Sequence, residues 1–176
     1  MSHPRLLESI RLVDGQFPLL EYHQHRVERS WRKFYPRSST PKLRSILDEH
    51  GYPDRGLYKV RMEYEPGDQQ ISIQPYTIKP VNSLRLIAAD DICYQQKFAD
   101  RQSIKELYNH RNGCDDVLFT QHGYITDTSY ANVAFFDGRH WFTPSWPLLR
   151  GTRRAKLIDI GQLKPLMIRV RDLDNF

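Results

Sequence analysis

The spacing of apolar residues in the first half of the chain predicts strands and two helices. Leu20, Val27, Trp31 and Phe34 recur at intervals of seven, four and three residues, which is typical of the apolar face of an α-helix. Other segments alternate apolar and polar residues and are separated by turn dipeptides such as Asp14–Gly15. The pattern predicts helices at 19–34 and 41–49 and strands at 6–12, 57–64, 70–76 and 83–89.

The second half has shorter apolar segments, again separated by glycine-containing turns. The pattern predicts helices at 102–111 and 151–160 and strands at 116–120, 124–126, 132–136, 140–142 and 166–170. Strands dominate and helices flank them, so the predicted fold class is α+β in two lobes. Segment 79–82 is the predicted joint, which divides the chain into a small N-terminal lobe, 1–80, and a second lobe, 81–176.

Composition limits the class of protein. A chain of 176 residues is long enough for one or two domains with their own cores, and its 12% aromatic content is too high for a disordered chain. The two cysteines, Cys93 and Cys114, exclude a disulfide scaffold and a cysteine-rich zinc site. We find no secretory signal in the N-terminal stretch and no apolar run of membrane-spanning length, so we expect a cytoplasmic protein without a membrane partner.

The net charge of +5 raises the question of a nucleic-acid partner. The densest basic patch is the predicted helix face with Arg26, Arg29, Arg32 and Lys33, and such a face is usually solvated. Aromatic and basic residues are not interleaved as a stacking platform for nucleic acid requires. A basic pocket for an anionic cofactor explains the positive net charge equally well. We therefore expect no nucleic-acid partner and keep a basic binding module as an alternative.

Metal and nucleotide motifs are missing from the sequence. His23 and His25 are two residues apart on a predicted helix, whereas a helical metal pair requires a spacing of four, so we expect no metal site. The sequence contains no glycine-rich dinucleotide loop, no phosphate-binding loop ending in Gly-Lys, and no Gly-x-Ser-x-Gly nucleophile motif.

Four dispersed features together match the requirements of a pyridoxal phosphate site. Lys97 offers an amine, Asp127 a carboxylate for the pyridine nitrogen, and Arg26 a phosphate partner; the helix start at Gly151–Thr152 offers backbone amides for the same phosphate. Each feature also has an ordinary interpretation, in which Lys97 is a surface lysine and Asp127 caps a turn. The residues alone leave these alternatives open.

The order of the motifs resembles the class IV aminotransferase family, the fold-type-IV pyridoxal phosphate enzymes. The stretch LLESIRLVDGQFPLLEYHQHRVERS is similar to the family's opening, and Arg26 in HQHR falls on its phosphate-binding arginine. The segment KFADR resembles the region of the Schiff-base lysine, which gives that role to Lys97. The resemblance covers roughly residues 6–160.

Two further motifs complete the resemblance and also depart from it. In GYITDTSYANVAFF, Asp127 takes the place of the family's glutamate at the pyridine nitrogen, and Asn132 matches the asparagine five residues later. In FTPSWPLLRGTRRAKLI, Thr152 and Arg153 fall on the two phosphate-contacting positions, with Arg153 in place of a threonine.

The resemblance implies a two-lobed, D-amino-acid-aminotransferase-like fold with a shortened N-terminal lobe, a homodimer, and Lys97 as the catalytic residue. The family includes branched-chain and D-amino-acid aminotransferases as well as 4-amino-4-deoxychorismate lyase. Arg101, four residues after Lys97, favours the lyase, which releases pyruvate from a small anionic amino-bearing substrate and forms the folate precursor 4-aminobenzoate. An aminotransferase and a degenerate, non-catalytic family member remain the alternatives.

Overall fold

The structure, a computed structural model, describes residues 4–176, and its chain contacts divide it into two compact units. Unit 1 extends to Ile78 and includes the later segment Gln96–Asp100, and unit 2 contains Lys79–Gln95 and Arg101–Phe176. The first three residues of the predicted N-terminal lobe lie outside the described residues. Each unit is described by itself.

Unit 1 consists of a three-stranded antiparallel sheet with β2 at its centre and two helices. Its elements in chain order are β1 (Leu6–Val13), α1 (Leu20–Phe34), α2 (Leu43–His50), β2 (Leu57–Glu65) and β3 (Asp68–Pro75). Along β1, Leu6, Glu8, Ile10 and Leu12 are all buried, because alternate residues of a strand face the same side. An acidic residue therefore lies on the core face of this sheet.

The core of unit 1 forms where the apolar stripes of both helices meet the sheet. Val27 and Trp31 of α1 pack with Leu43 and Leu47 of α2 in one buried cluster. The strands complete this cluster with alternate residues of β1 and β2. The buried stripe of α1 also carries three polar residues, namely His23, Arg26 and Ser30.

The segment Gln96–Asp100 lies against β1, although the sequence analysis assigned it to the second lobe. The Leu7 N–H donates to the Lys97 carbonyl at 2.8 Å, and the Ala99 N–H donates to the Arg5 carbonyl at 2.9 Å. These two backbone bonds, formed between residues far apart in sequence, join Lys97 to unit 1.

Unit 2 contains two further three-stranded sheets. Its elements are β4 (Leu84–Ala88), α3 (Gln102–Asn109), β5 (Asp116–Gln121), β6 (Tyr124–Thr128), β7 (Phe135–Phe136), β8 (Trp141–Pro144), α4 (Thr152–Asp159), β9 (Lys164–Leu166) and a final 3-10 helix, Val170–Asn175. The sheets have the orders β4-β5-β6 and β7-β8-β9. β4 pairs in parallel with β5 after a connection containing α3, and β8 pairs in parallel with β9 after α4.

A tight turn at His122–Gly123 joins β5 to β6. Both residues have positive φ, 50° and 80°, which suits a hairpin of the I′ type. The hairpin positions Asp127 near the end of β6, where Thr126 and Asp127 are both buried. This is the strand that carries the candidate carboxylate.

Most predicted elements are confirmed within a few residues, and the mixed α and β composition in two units agrees with the predicted class. The predicted strand at 166–170 is wrong. β9 ends at Leu166 because its parallel pairing with the short β8 ends there. The chain then turns into the 3-10 helix, at whose start the Arg169 N–H donates to the Asp172 side chain at 2.8 Å.

None of the helices between residues 4 and 176 combines the length and the apolar character needed to cross a bilayer.

Candidate functional site

A buried ion pair holds Arg26 in unit 1. The guanidinium Nε donates to Glu8 Oε1 at 2.8 Å, and Nη2 donates to Glu8 Oε2. His23, three residues before Arg26 on α1, bonds through Nδ1 to the same Oε2 at 2.6 Å. Glu8 is completely buried and Arg26 is 6% exposed. Arg26 is thus buried, in contrast to the solvated face expected for this patch, whereas Arg29 and Arg32 are exposed as expected.

The charge on Glu8 is stabilised by its partners. Burial raises the pKa of this carboxyl, but the positive charge of Arg26 and the hydrogen bonds from Arg26 and His23 outweigh it. The net effect lowers the pKa of Glu8 to about 2. Glu8 is therefore an anion at any physiological pH.

The sequence analysis missed Glu8, although the pattern contained a signal for it. In the strand LLESIRL, Glu8 is an even number of positions from Leu6, Ile10 and Leu12. Because alternate residues of a strand face the same side, Glu8 lies on the core face with them. A carboxylate at such a position needs a cationic partner. His23 and Arg26 on the adjacent predicted helix were available for that role.

Lys97 is half-buried in unit 1 and lies beside the same strand. Its backbone carbonyl accepts from Leu7, the residue that precedes Glu8 on β1. Ser30 of α1 donates to the side chain of the neighbouring Gln96 at 2.7 Å. Unit 1 thus brings the segment of Lys97 and the partner of Arg26 to consecutive positions of one strand.

In unit 2 a hydrogen-bonded network joins Asp127 to the loop before α4. Asp127 Oδ1 accepts from the Asn132 side-chain amide at 2.7 Å, and Oδ2 accepts from the Leu149 N–H at 2.9 Å. Asn132 also donates to the Leu149 carbonyl at 2.7 Å and accepts from the Gly151 N–H at 3.1 Å. The two residues of the predicted Asp-x4-Asn motif therefore hold the backbone that opens α4.

Glycine is required at position 151 by this network. A Cβ built on Gly151 would lie 2.1 Å from Asn132 Oδ1, closer than any two such atoms can approach. The φ of Gly151 is −71°, so the requirement is steric and does not come from a left-handed backbone.

The start of α4 is electropositive. Gly151 has no side chain to cap the helix, the first turn contains no acidic residue, and its backbone N–H groups carry the positive end of the helix dipole. Arg153 is exposed there, and Thr152 is half-buried. Arg154 is half-buried and donates to the Pro144 carbonyl at 2.8 Å. Such an end favours an anion such as a phosphate group.

Asp127 is only 5% exposed, and its environment changes its acidity. Burial raises the pKa, while the bonds from Leu149 and Asn132 and the charge of Arg154 lower it by a smaller amount. The resulting pKa is about 6. The carboxyl is thus one that a nearby cation would stabilise in its ionised form.

These residues fit pyridoxal phosphate in their chemistry. The start of α4 suits the phosphate, and the desolvated carboxylate of Asp127 suits a cationic pyridine nitrogen. Both oxygens of Asp127 are already bonded, but a carboxylate offers about four lone-pair sites, so each oxygen can accept a further donor. Unit 1, by itself, contains an amine, Lys97, and a guanidinium, Arg26.

Arg101 lies at the end of the strand that carries Asp127. Its Nη2 donates to the Ser129 carbonyl, and its guanidinium is 5.8 Å from the centre of the Tyr94 ring. Its Nε is buried and lacks a hydrogen-bond partner in the described part of the chain. Arg101 belongs to unit 2, whereas Lys97 belongs to unit 1.

The two histidines of α1 differ in environment, since His23 is buried against Glu8 and His25 is exposed. Within residues 4–176 no group of three or more histidine, cysteine, aspartate or glutamate side chains is arranged to bind a metal ion.

Comparison with known proteins finds a family model and a solved structure that are both similar to this chain. The sequence model of amino-transferase class IV matches residues 104–175. A solved structure of a candidate 4-amino-4-deoxychorismate lyase from Haemophilus somnus is 32% identical, with a TM-score of 0.92, over 99% of this chain and 93% of that one.

Two curated relatives are similar over most of their length. An uncharacterised protein of Haemophilus influenzae is 32% identical over 173 residues, which are 97% of this chain and 92% of that protein. A candidate aminodeoxychorismate lyase of Schizosaccharomyces pombe is 28% identical over 93% of this chain and 77% of its own.

Replacing Gly151 with alanine tests the network around Asn132. The added Cβ forces the Asn132 amide away from Gly151 and Asp127, and we expect a loss of about 1–3 kcal/mol in the free energy of unfolding from the broken hydrogen bonds. The side-chain amide signals of Asn132 in NMR spectra should shift. In Gly161→Ala, at the other end of α4, the Cβ meets open space, so backbone strain lowers stability while the Asn132 signals stay in place. Unchanged Asn132 signals in Gly151→Ala would contradict the network.

The acidity of Asp127 is testable by carbon NMR of labelled aspartate carboxyls, assigned with Asp127→Asn. We expect a midpoint at about pH 6 for Asp127, and a midpoint below 3.8 for the exposed Asp137, whose pKa is lowered by the N–H groups of His140 and Arg139. Because the pKa of Asp127 is higher in the folded chain than its ordinary value of 3.8, its contribution to stability is greatest below pH 3.8 and is lost as pH rises through 6. A midpoint of 3.8 or lower for Asp127 would refute the assigned burial.

Proposed function

We propose, from the premise that this chain belongs to the class IV aminotransferase family, that it is a pyridoxal phosphate-dependent lyase that converts 4-amino-4-deoxychorismate to pyruvate and 4-aminobenzoate. Homologues in this family are pyridoxal phosphate enzymes. The choice of the lyase is supported by the candidate lyases from Haemophilus somnus and Schizosaccharomyces pombe, which match nearly the whole chain.

The observation that carries the proposal is the network of Asp127, Asn132 and Gly151. It joins a buried carboxylate with a raised pKa to a helix start suited to a phosphate. A pyridoxal phosphate molecule presents a phosphate at one end and a pyridine nitrogen on its ring, so one cofactor needs both features.

The cofactor, when bound, condenses with an amine and withdraws electrons from the carbon that bears this amine. In our proposal Lys97 is the catalytic residue and holds the cofactor through its Nζ. Lys97 Nζ would also be the base that takes the proton from the substrate's amine-bearing carbon. Loss of that proton would allow the bond from the ring to the enolpyruvyl oxygen to break. The departing enolpyruvate would take up a proton, which Lys97 Nζ can return, and become pyruvate, while the ring left behind would be the aromatic ring of 4-aminobenzoate.

Two groups bind the phosphate in this proposal. The amides at the start of α4, with Thr152 and Arg153, supply donors and the helix dipole. Arg26 supplies a guanidinium, the side chain best suited to bidentate phosphate contacts. The exposed Arg153, in place of the family's threonine, would contribute charge in addition to direct bonding.

Asp127 would stay ionised when it faces the pyridine nitrogen, because a cation there offsets the burial that raises its pKa. Asn132 would hold the carboxylate in place through the bond to Oδ1. The network would thereby favour a protonated ring nitrogen in bound pyridoxal phosphate, the charge that makes the ring an electron sink.

Family membership also supports a homodimer, a cytoplasmic location and a small anionic substrate that bears an amine, all of which are part of the proposal. We keep the division into a small lobe, 1–80, and a second lobe, 81–176, as its domain assignment. The second candidate function is a class IV aminotransferase for branched-chain or D-amino acids, because the family model that matches residues 104–175 is that of amino-transferase class IV.

A product assay separates these functions. We expect the protein loaded with pyridoxal phosphate to release pyruvate and 4-aminobenzoate in equal amounts from 4-amino-4-deoxychorismate, without any amino acceptor. Lys97→Ala should abolish the release, and Lys105→Ala, which removes an exposed lysine of α3, should leave it unchanged.

Amino transfer that requires a keto-acid acceptor would instead identify an aminotransferase. A loaded protein that catalyses neither reaction would contradict catalytic function and indicate a non-catalytic member of the family.

A further inference from the structure

We propose that Glu8 is a positioning residue for the phosphate-binding function of Arg26, an inference that rests on the proposed function. Neither the resemblance to the family nor the motif HQHR assigns a role to Glu8. The inference comes from the way in which its carboxylate holds the Arg26 guanidinium from the side.

The contact fixes the orientation of the guanidinium. Glu8 bonds the edge of the planar group that carries Nε and Nη2, one oxygen to each nitrogen. Because the guanidinium is rigid and planar, holding this edge also sets the direction of the edge that carries Nη1. A phosphate that binds Arg26 from that direction meets a donor that is already oriented.

His23 completes the support of the carboxylate. It bonds the same Glu8 oxygen that Arg26 Nη2 contacts, at 2.6 Å, so Glu8 is held from α1 at two positions one helical turn apart. The strand position of Glu8 and the helix positions of its partners are therefore mutually fixed. The charge of Glu8 also affects Tyr64 of β2. Burial is the main cause that raises the pKa of this tyrosine, and the negative charge of Glu8 raises it further.

Stability alone is a weak reason for such a pair. A buried ion pair is often no more stabilising than apolar residues of similar volume, because both charges lose their hydration. Glu8 is surrounded along β1 by Leu6 and Ile10, which belong to the unit 1 core. An arginine held at this position is instead explained by a need for a guanidinium of defined direction.

The strand links this guanidinium to the proposed catalytic lysine. Glu8 follows Leu7, whose N–H binds the Lys97 carbonyl. Within unit 1, β1 therefore holds the backbone of Lys97 and the side chain of Arg26 at adjacent residues. Any shift of β1 would move both, which keeps their spacing constant.

The test compares the affinities for pyridoxal phosphate and for pyridoxal, which lacks the phosphate, by equilibrium dialysis. We expect Glu8→Gln to weaken pyridoxal phosphate binding about tenfold or more, as misplaced groups do, and to leave pyridoxal binding nearly unchanged. A structural defect would weaken both. The control Glu63→Gln, which removes a carboxylate of β2 that pairs with Arg5 and Arg61, should keep the wild-type ratio.

Glu8→Gln removes a buried charge, so a second variant, Arg26→Lys, keeps the inference testable if Glu8→Gln does not fold. Arg26→Lys retains the positive charge and loses the planar fork, so the preference for pyridoxal phosphate should fall as it does in Glu8→Gln. A wild-type ratio in Glu8→Gln would overturn the inference and leave the proposed function intact. A wild-type ratio in Arg26→Lys would overturn the inference together with the phosphate-binding role of Arg26. Wild-type protein that binds neither compound would overturn both.

Discussion

A buried carboxylate loses its hydration and is stabilised by partners within the protein, as Glu8 is in unit 1 and Asp127 is in unit 2. In unit 1 the compensation of Glu8 is ionic, because Arg26 and His23 surround it, and its pKa is about 2. In unit 2 Asp127 receives mainly neutral donors, and its pKa is about 6. Charged partners and neutral dipoles thus leave two buried acids with opposite shifts.

This difference matches the roles that we propose for the two acids. Glu8 is permanently ionised and bonded at both oxygens, so it is suited to holding another side chain in place. Asp127 lacks a hydrogen-bonded cation within unit 2, although Arg154 is close enough to influence it. An ionised Asp127 is therefore stabilised by a cationic ligand, and the pyridine nitrogen of the cofactor is such a ligand.

Much of the fold could be predicted from local patterns. The alternation in LLESIRL and the spacing of Val27 and Trp31 are dictated by burial of one face, so β1 and α1 were predictable. The strand at 166–170 was not, because its end depends on pairing with β8. The place of Lys97 beside Leu7 was also hidden, since a bond between residues 90 positions apart leaves no local pattern.

The candidate site likewise has features that the sequence pattern shows and contacts that it does not show. The motif that contains Asp127 and Asn132 was visible, and its side chains do meet, but their contacts with Leu149 and Gly151 come from a loop about 20 residues away. Glu8 occupies alternate positions of β1 together with the core residues, so strand alternation alone was enough to place it on the buried face. Its partnership with Arg26 required the packing of α1 on the sheet, which the sequence pattern does not specify.

The most direct test of the account is reductive labelling of the purified protein. Pyridoxal phosphate is added, the absorption in the violet is recorded, and borohydride then fixes any cofactor that is bound to an amine before the peptides are mapped. The account predicts a yellow protein with the label on the peptide that contains Lys97. A colourless protein, or a label on another lysine, would contradict it.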